Sequence, residues 1–282
     1  MPNIKEHRAA MRRLHQEGCF VIPNPWDVGS ARYLQSLGFK ALATTSSGAA
    51  WSMGMPDNNI TLGMALAHIQ GMVEASEVPV NADFESGFAR DAAGVARNVV
   101  LCLETGVAAL SIEDSRRDPQ RPLYELAEAV ERIAAARAAI DERGGEALLV
   151  GRAECFLTGH EAPLKEAILR LQAYADAGAD VLYAPGAKTR EDVKLLVRAV
   201  APKPLNVLTV TAMKLSVAEL ADLGVRRISV GGALARSAWG GFMRAAQEIA
   251  QQGSFNALGE AASGAALDKF FGEDQARRKT RR

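Results

Sequence analysis

Thr105-Gly106-Val107-Ala108-Ala109-Leu110-Ser111-Ile112-Glu113-Asp114 holds the pattern on which the whole chain is built. A helical pattern runs into Thr105, Gly106 stops it, and a short apolar run then ends in two acids. Glycine ends a helix well because the left-handed cap has no Cβ to clash. A short run without polar alternation reads as a strand buried on both faces, hence a parallel sheet. The phrase recurs at Leu37-Gly38 through Ala43, at Ala177-Gly178 through Tyr183, and at Leu223-Gly224 through Val230. Cys19–Pro23, Val78–Ala82, Leu148–Arg152 and Pro204–Leu208 read as four further strands, making eight.

Helical patterns fill the gaps at 28–37, 61–75, 91–105, 122–143, 161–177, 190–201, 216–223 and 233–251. Thr189-Arg-Glu-Asp192 and Ser216-Val-Ala-Glu219 read as capping boxes. A further helix, Ile4–Glu17, precedes the first strand, with Asn3 as cap and Gly18 as stop. Strict alternation around eight strands predicts an α/β fold, a (β/α)8 TIM barrel with an extra N-terminal helix. A doubly wound open sheet is the alternative; it fits less well because no Gly-x-Gly-x-x-Gly turn follows a strand. No linker rich in Pro, Gly or Ser divides the chain, so residues 1–282 read as one domain. Residues 253–282 read as a C-terminal helical extension, either covering the barrel or swapped onto another subunit through Phe270 and Phe271.

The chain has 282 residues, 48% of them hydrophobic, and a formal net charge of zero. A sizeable core follows, and no charge excess points to nucleic acid. The basic run from Arg277 to Arg282 reads as a solvated, frayed tail. Cys19, Cys102 and Cys155 are too widely spaced for a disulfide framework or a zinc pattern, and Cys102 and Cys155 read as packing. No apolar run approaches the ~20 residues needed to span a bilayer, and the N-terminus lacks a signal-peptide core. The expectation is a cytoplasmic protein with no membrane partner.

Chemistry concentrates at strand ends, where a barrel carries its active face. Asp83 and Glu85 close one apolar run, Glu113 and Asp114 the next, and Arg152 with Glu154 the one after. Carboxylates at the tips of buried strands need a counter-charge. Asp83 and Glu85, two apart on an extended segment, are expected to leave the same side and to join Glu113. Three such oxygens suit Mg2+, or Mn2+. An arginine beside them suits a small anionic substrate. Tyr183 and Asn206 read as facing the same rim, and His160 as a helix cap.

Asn81-Ala-Asp83-Phe-Glu85-Ser-Gly87-Phe88 resembles the Asp-x-Asp-[Thr/Ser]-Gly-[Tyr/Phe] motif of the phosphoenolpyruvate mutase/isocitrate lyase superfamily, with Glu85 in place of the second Asp. Ser111-Ile-Glu113-Asp114, Gly151-Arg152-Ala-Glu154, Ser47-Gly48-Ala49, Gly54-Met-Pro-Asp57 and Pro23-Asn24-Pro-Trp26-Asp27 resemble its other site segments, in order from about residue 18 to 250. The resemblance implies Asp83 as direct metal ligand, with Glu85 and Glu113 acting through water. It implies the Ser47, Gly48 and Ala49 backbone as the holder of a substrate carboxylate, and Arg152 as the clamp on the distal anion. Asp57 would contact the metal shell or the reacting centre, and Trp26 and Asn206 would line the substrate.

One departure limits the reading. Lyases of the superfamily that cleave isocitrate or methylisocitrate carry Lys-[Lys/Arg]-Cys-Gly-His after the Glu-Asp strand. This chain has Ser115-Arg-Arg-Asp-Pro-Gln-Arg-Pro122, with neither Cys nor His, and looks shorter there than the phosphonate mutases. The expected activity is Mg2+-dependent C–C cleavage of a small 2-oxo or 2-hydroxy (di)carboxylate by a homo-oligomer, a tetramer or dimer. The alternatives are P–C chemistry on a phosphonate such as phosphonopyruvate, and a non-catalytic dicarboxylate-binding barrel.

Overall fold

Each recurring glycine does what its phrase requires: Gly38, Gly106, Gly178 and Gly224 take φ of 89°, 89°, 101° and 92°. They end helices at the points where strands must begin. The computed structural model describes residues 3–210 and 214–280. These residues form two compact units, divided between Ala233 and Leu234.

The first unit contains β1 (Phe20–Ile22), β2 (Leu42–Ala43), β3 (Val80–Asp83), β4 (Ala109–Glu113), β5 (Leu148–Arg152), β6 (Val181–Tyr183), β7 (Leu205–Leu208) and β8 (Arg227–Ser229). All pairings are parallel, in the order β1-β8-β7-β6-β5-β4-β3-β2. The amide of Ala43 donates to the carbonyl of Pro23 at 3.0 Å, bridging the two ends of that order. Asn24 reinforces the join: its amide donates to Thr44 O at 2.9 Å, and its oxygen accepts from the Val230 and Gly231 amides at 2.9 and 2.8 Å. The (β/α)8 barrel expected from the sequence is therefore present and nearly closed.

The connecting helices are α1 (Ile4–Leu14), α2 (Val28–Ser36), α3 (Ser46–Ser52), α4 (Leu62–Ala75), α5 (Ala92–Glu104), α6 (Leu126–Glu142), α7 (Pro163–Asp176), α8 (Arg190–Val200) and α9 (Val217–Asp222). Asn3 caps α1, which ends at Leu14, four residues before the expected stop at Gly18. Ser216 and Glu219 form the reciprocal box at α9, whereas Thr189 caps α8 from one side only. Three arginines would otherwise hold α1 in water; two of them instead fasten it down. Arg8 donates to Val107 O and Leu103 O, and Arg12 to Gly145 O and Glu146 O, all carbonyls ahead of β4 and β5. Met11, fully buried, joins the cluster of Ile22, Ala41, Ala109, Leu148 and Val181. The extra helix thus lies over the N-terminal ends of the strands, opposite the end where chemistry is expected.

The second unit holds α10 (Ala233–Gln252) from its second residue on, a short 3-10 turn (Asn256–Glu260) and α11 (Gly264–Thr280). Glu248 joins the first two by accepting from Ser254 Oγ at 2.5 Å, Asn256 N at 2.9 Å and Ala257 N at 2.7 Å. The basic run expected to fray continues α11 as far as Thr280, with Arg278 3.1 Å from Asp274; the last two residues lie outside those described. Among the described residues, no helix is long and apolar enough to cross a membrane.

Candidate active site

Register brings the charged strand ends together. Glu113 and Arg152 are Cα partners across β4 and β5, and Arg152 and Tyr183 across β5 and β6. Arg152 Nη1 lies 3.4 Å from Asp83 Oδ1 and 3.4 Å from Glu113 Oε2, while its Nε donates to Glu154 Oε1 at 2.5 Å. Its guanidinium also lies over the Tyr183 ring, 5.1 Å from the centroid. One arginine therefore answers three carboxylates. Burial pushes the Glu113 pKa well above the usual range, with Arg152 opposing it and Glu154 and Asp83 adding to it. Glu154 is raised for the same first reason. Burial alone would lower the Arg152 pKa, but Glu154 and Glu113 outweigh it and drive it up. Burial also pushes Tyr183 to about 12.

Asp83 is oriented from the other side. Its Oδ2 accepts from Ser46 N at 2.9 Å and Ser46 Oγ at 2.8 Å, and its own amide donates to Thr44 Oγ1 at 2.8 Å. Ser46 opens α3, a helix that is not among those expected from the sequence. Thr45 caps that helix: Gly48 N donates to Thr45 Oγ1 at 3.3 Å, and Ala49 N to Thr45 O at 3.0 Å. Ser47, Gly48 and Ala49 are therefore the first turn of a helix, with the Ser47 hydroxyl 3.1 Å from Thr45 Oγ1. The Gly48 and Ala49 amides already have partners in Thr45.

The turn after β3 is pinned. Asn98 donates to Gly87 O and Phe88 O at 2.9 and 3.0 Å, and Arg132 donates to Ser86 O and Ala89 O at 2.6 and 2.9 Å. Gly87 has φ of 80°, and a Cβ there would sit 3.1 Å from both Val95 methyls. Glu85 corrects one expectation. Its φ is 49°, so the extended segment ends at Asp83 and the two side chains do not share one side. Glu85, 1% exposed, pairs instead with Arg117 from the segment after β4. That segment folds back as a short hairpin, with a bridge between Ser115 and Leu123 and Arg116 N donating to Pro122 O at 2.9 Å.

Asp57 sits at the solvent-facing mouth, its Oδ1 accepting from Asn58 N at 2.9 Å. Protein packed around it raises its pKa, and the Asp83 charge adds to the rise. Asp114 is buried beneath the site. It accepts from Tyr174 Oη at 2.6 Å, Arg170 Nη1 at 3.1 Å and Glu154 N at 2.8 Å, so it anchors the Glu154 backbone rather than facing substrate. Trp26 is half-buried, and its amide donates to Ser30 Oγ at 3.1 Å at the start of α2. Asn206 departs from the rim position expected for it. It is 1% exposed, donates to Ser229 Oγ at 2.9 Å and accepts from Arg227 Nε at 2.8 Å, so both ends of its amide are engaged inside the barrel. Cys102 and Cys155 are buried free thiols, as their packing role requires; burial pushes Cys155 to about 12. His160 accepts from Ala162 N at 3.2 Å ahead of α7, where Ala162 holds the cap position.

Ser46, Arg117 and the Asn98–Arg132 pair were missed in sequence. The only sequence signal was the Arg116-Arg117 dipeptide, visible in a segment that was read for its missing Cys and His.

Among the described residues, no three His, Cys, Asp or Glu groups converge as a ready-made metal cage. Asp83, Glu113 and Glu85 are nonetheless hard oxygen donors, two of them otherwise neutralised by Arg152 and one by Arg117. Acids drawn together at strand ends and balanced by arginines fit a divalent ion that takes one or two protein oxygens and keeps its waters.

The family model for phosphoenolpyruvate phosphomutase matches residues 11–250. The chain belongs to that family. It is an enzyme of the phosphoenolpyruvate mutase/isocitrate lyase superfamily. A crystal structure from Burkholderia cenocepacia J2315, provisionally named a lyase/mutase, superposes with a TM-score of 0.90 at 45% identity, covering 95% of this chain and 96% of the other. An uncharacterized protein of Mycobacterium tuberculosis H37Rv is 34% identical over 226 residues, 77% of this chain and 80% of the relative. Oxaloacetate decarboxylase of Pseudomonas putida GB-1 is 32% identical over 226 residues, 78% of this chain and 76% of the relative. Members of the superfamily cleave C–C bonds of small carboxylates or act as phosphonomutases, and they are typically dependent on a divalent metal.

Proposed function

We propose that this enzyme is an Mg2+-dependent lyase or hydrolase that breaks a C–C bond in a small 2-oxo or 2-hydroxy dicarboxylate. The reaction would pass through an enolate-like intermediate. The observation that carries the proposal is the convergence of Asp83, Glu113 and Arg152 at the ends of three adjacent strands. Asp83, Glu85 and Glu113 would hold the ion, and Mn2+ would serve as well. When bound, it supplies Lewis-acid stabilisation for negative charge on the substrate oxygen.

The chain's own groups do the rest. Ser46 fixes the Asp83 carboxylate in one orientation. Arg152 restrains Glu113 and Glu154, and meets the anionic substrate at the point where they converge. Ser47, Gly48 and Ala49, in the first turn of α3, would bring their backbone to a substrate carboxylate, with the Gly48 and Ala49 amides shared with Thr45. Asp57 lies at the mouth with a raised pKa, which suits it to hold and release a proton there. The enzyme is proposed to work in the cytoplasm as a homo-oligomer.

The test is a panel assay of the purified chain with Mg2+ or Mn2+ on oxaloacetate, malate, 2,3-dimethylmalate and phosphonopyruvate. The expected result is chelator-sensitive cleavage of one of the carboxylates, read as released pyruvate, oxalate, glyoxylate or propionate. Turnover of phosphonopyruvate alone overturns the C–C reading in favour of P–C chemistry.

A further inference from the structure

Arg152 is committed to three carboxylates at the floor of the site. Arg117 is placed differently. It stands in the hairpin after β4, with φ of 58° and its side chain 29% exposed. Its Nη1 donates to Asn58 O at 2.9 Å, and its guanidinium lies 5.8 Å from the Phe88 ring. Its ionic partner is Glu85, whose carboxylate is buried and accepts no other hydrogen bond among the described residues. One side chain thus ties the Asp57–Asn58 turn, the Glu85–Phe88 turn and the hairpin together over the mouth.

A buried carboxylate needs a counter-charge for as long as it stays ionised. Among the described residues Arg117 is the cation paired with Glu85, and a divalent ion beside Asp83 would supply that charge instead. The guanidinium would then be left at the mouth with Nη1 still on Asn58 O and Nη2 free to take another anion. A planar guanidinium suits a carboxylate.

We propose that Arg117 is the exchangeable cation of this site. In the ligand-free chain it neutralises Glu85; once a divalent ion takes over that charge, it transfers to the second carboxylate of the substrate and so selects dicarboxylates. The proposal rests on the Mg2+-dependent reading given above. It makes the ion and Arg117 competitors for Glu85, and Arg117 and the distal carboxylate partners.

Calorimetric titration separates those two relations. Arg117→Gln should bind Mg2+ alone more tightly than the wild-type chain, by about 10-fold, because a competing positive charge is gone. The same variant, saturated with Mg2+, should bind malate on the order of 10-fold more weakly. Its affinity for oxalate, which has the chelating end but no distal carboxylate, should not change. Arg117→Lys should fall between the two in both measurements, and melting curves confirm that each variant is folded. Mg2+ binding that is unchanged or weaker in Arg117→Gln overturns the exchange, and equal losses for malate and oxalate overturn the dicarboxylate selection. A wild-type chain that binds neither Mg2+ nor oxalate takes down the metal-dependent function itself, and the exchange with it.

Discussion

Asp83 is held from two sides, meeting Ser46 on one oxygen and Arg152 on the other. Removing it takes away the proposed direct ligand and leaves Arg152 with one fewer partner. Asp83→Ala is therefore expected to show no Mg2+- or Mn2+-dependent oxalate binding by calorimetry. Binding like that of the wild type would end the metal-site reading. Arg152→Lys tests a different property. Lysine keeps the charge but cannot span Glu154, Glu113 and Asp83 with one planar group. Oxalate affinity should fall far more than the melting temperature. Normal oxalate binding with a much lower melting temperature would assign Arg152 to structure alone. At this scale the sequence was a partial guide. Asp83, Glu113 and Arg152 were legible because each ends an apolar run, and strand register alone brings such positions together. The direction of the Glu85 side chain was not, because it follows a left-handed backbone that no spacing rule reveals. Arg117 was not, because its partner is 32 residues away and meets it only across folded turns.

Among the elements, strands and long helices were the most legible, since a glycine cap followed by an apolar run leaves few alternatives. The exception is α3. Ser46-Ser47-Gly48 is a poor helix opening by propensity, and the helix is held by the Thr45 cap and by tertiary bonds to Asp83. Two predictions belong here. Met11 ties α1 into the cluster beneath the barrel, so Met11→Ala should destabilise the chain by about 2–5 kcal/mol in chemical denaturation. A change of only a few tenths would mean that α1 is held by Arg8 and Arg12 rather than by packing. Glu248 supplies the second case. Its bonds to Ser254, Ala257 and Asn256 lower its pKa from 4.5 to about 2. A carboxyl with a depressed folded pKa contributes stability above its unfolded value, and that contribution is lost as pH falls toward the folded one. The Asn256 and Ala257 amides should therefore lose exchange protection between about pH 4.5 and 2, and Glu248→Gln should remove that pH dependence. Protection that persists unchanged to pH 2 would show that other contacts hold the turn.

At the scale of the whole molecule, the second unit exposes Trp239, Phe242, Met243, Phe255 and Phe271, with Phe242 61% and Phe255 64% exposed. So many large apolar groups on one small helical unit are characteristic of a surface that another chain covers. The full-length chain is expected to run as a dimer or tetramer in light scattering, and a chain ending at residue 252 as a smaller, less stable species. A monomeric full-length chain would sink the swapped-helix reading. The join between the first two strands has a separate consequence. Every other neighbouring pair shares a ladder, whereas β1 and β2 meet through one amide and the Asn24 side chain. A ring with one weak link can breathe there without unzipping the rest. New chain termini placed between β1 and β2, with the old ends linked, should then be tolerated better than the same cut between β4 and β5, where the ladder is five residue pairs long.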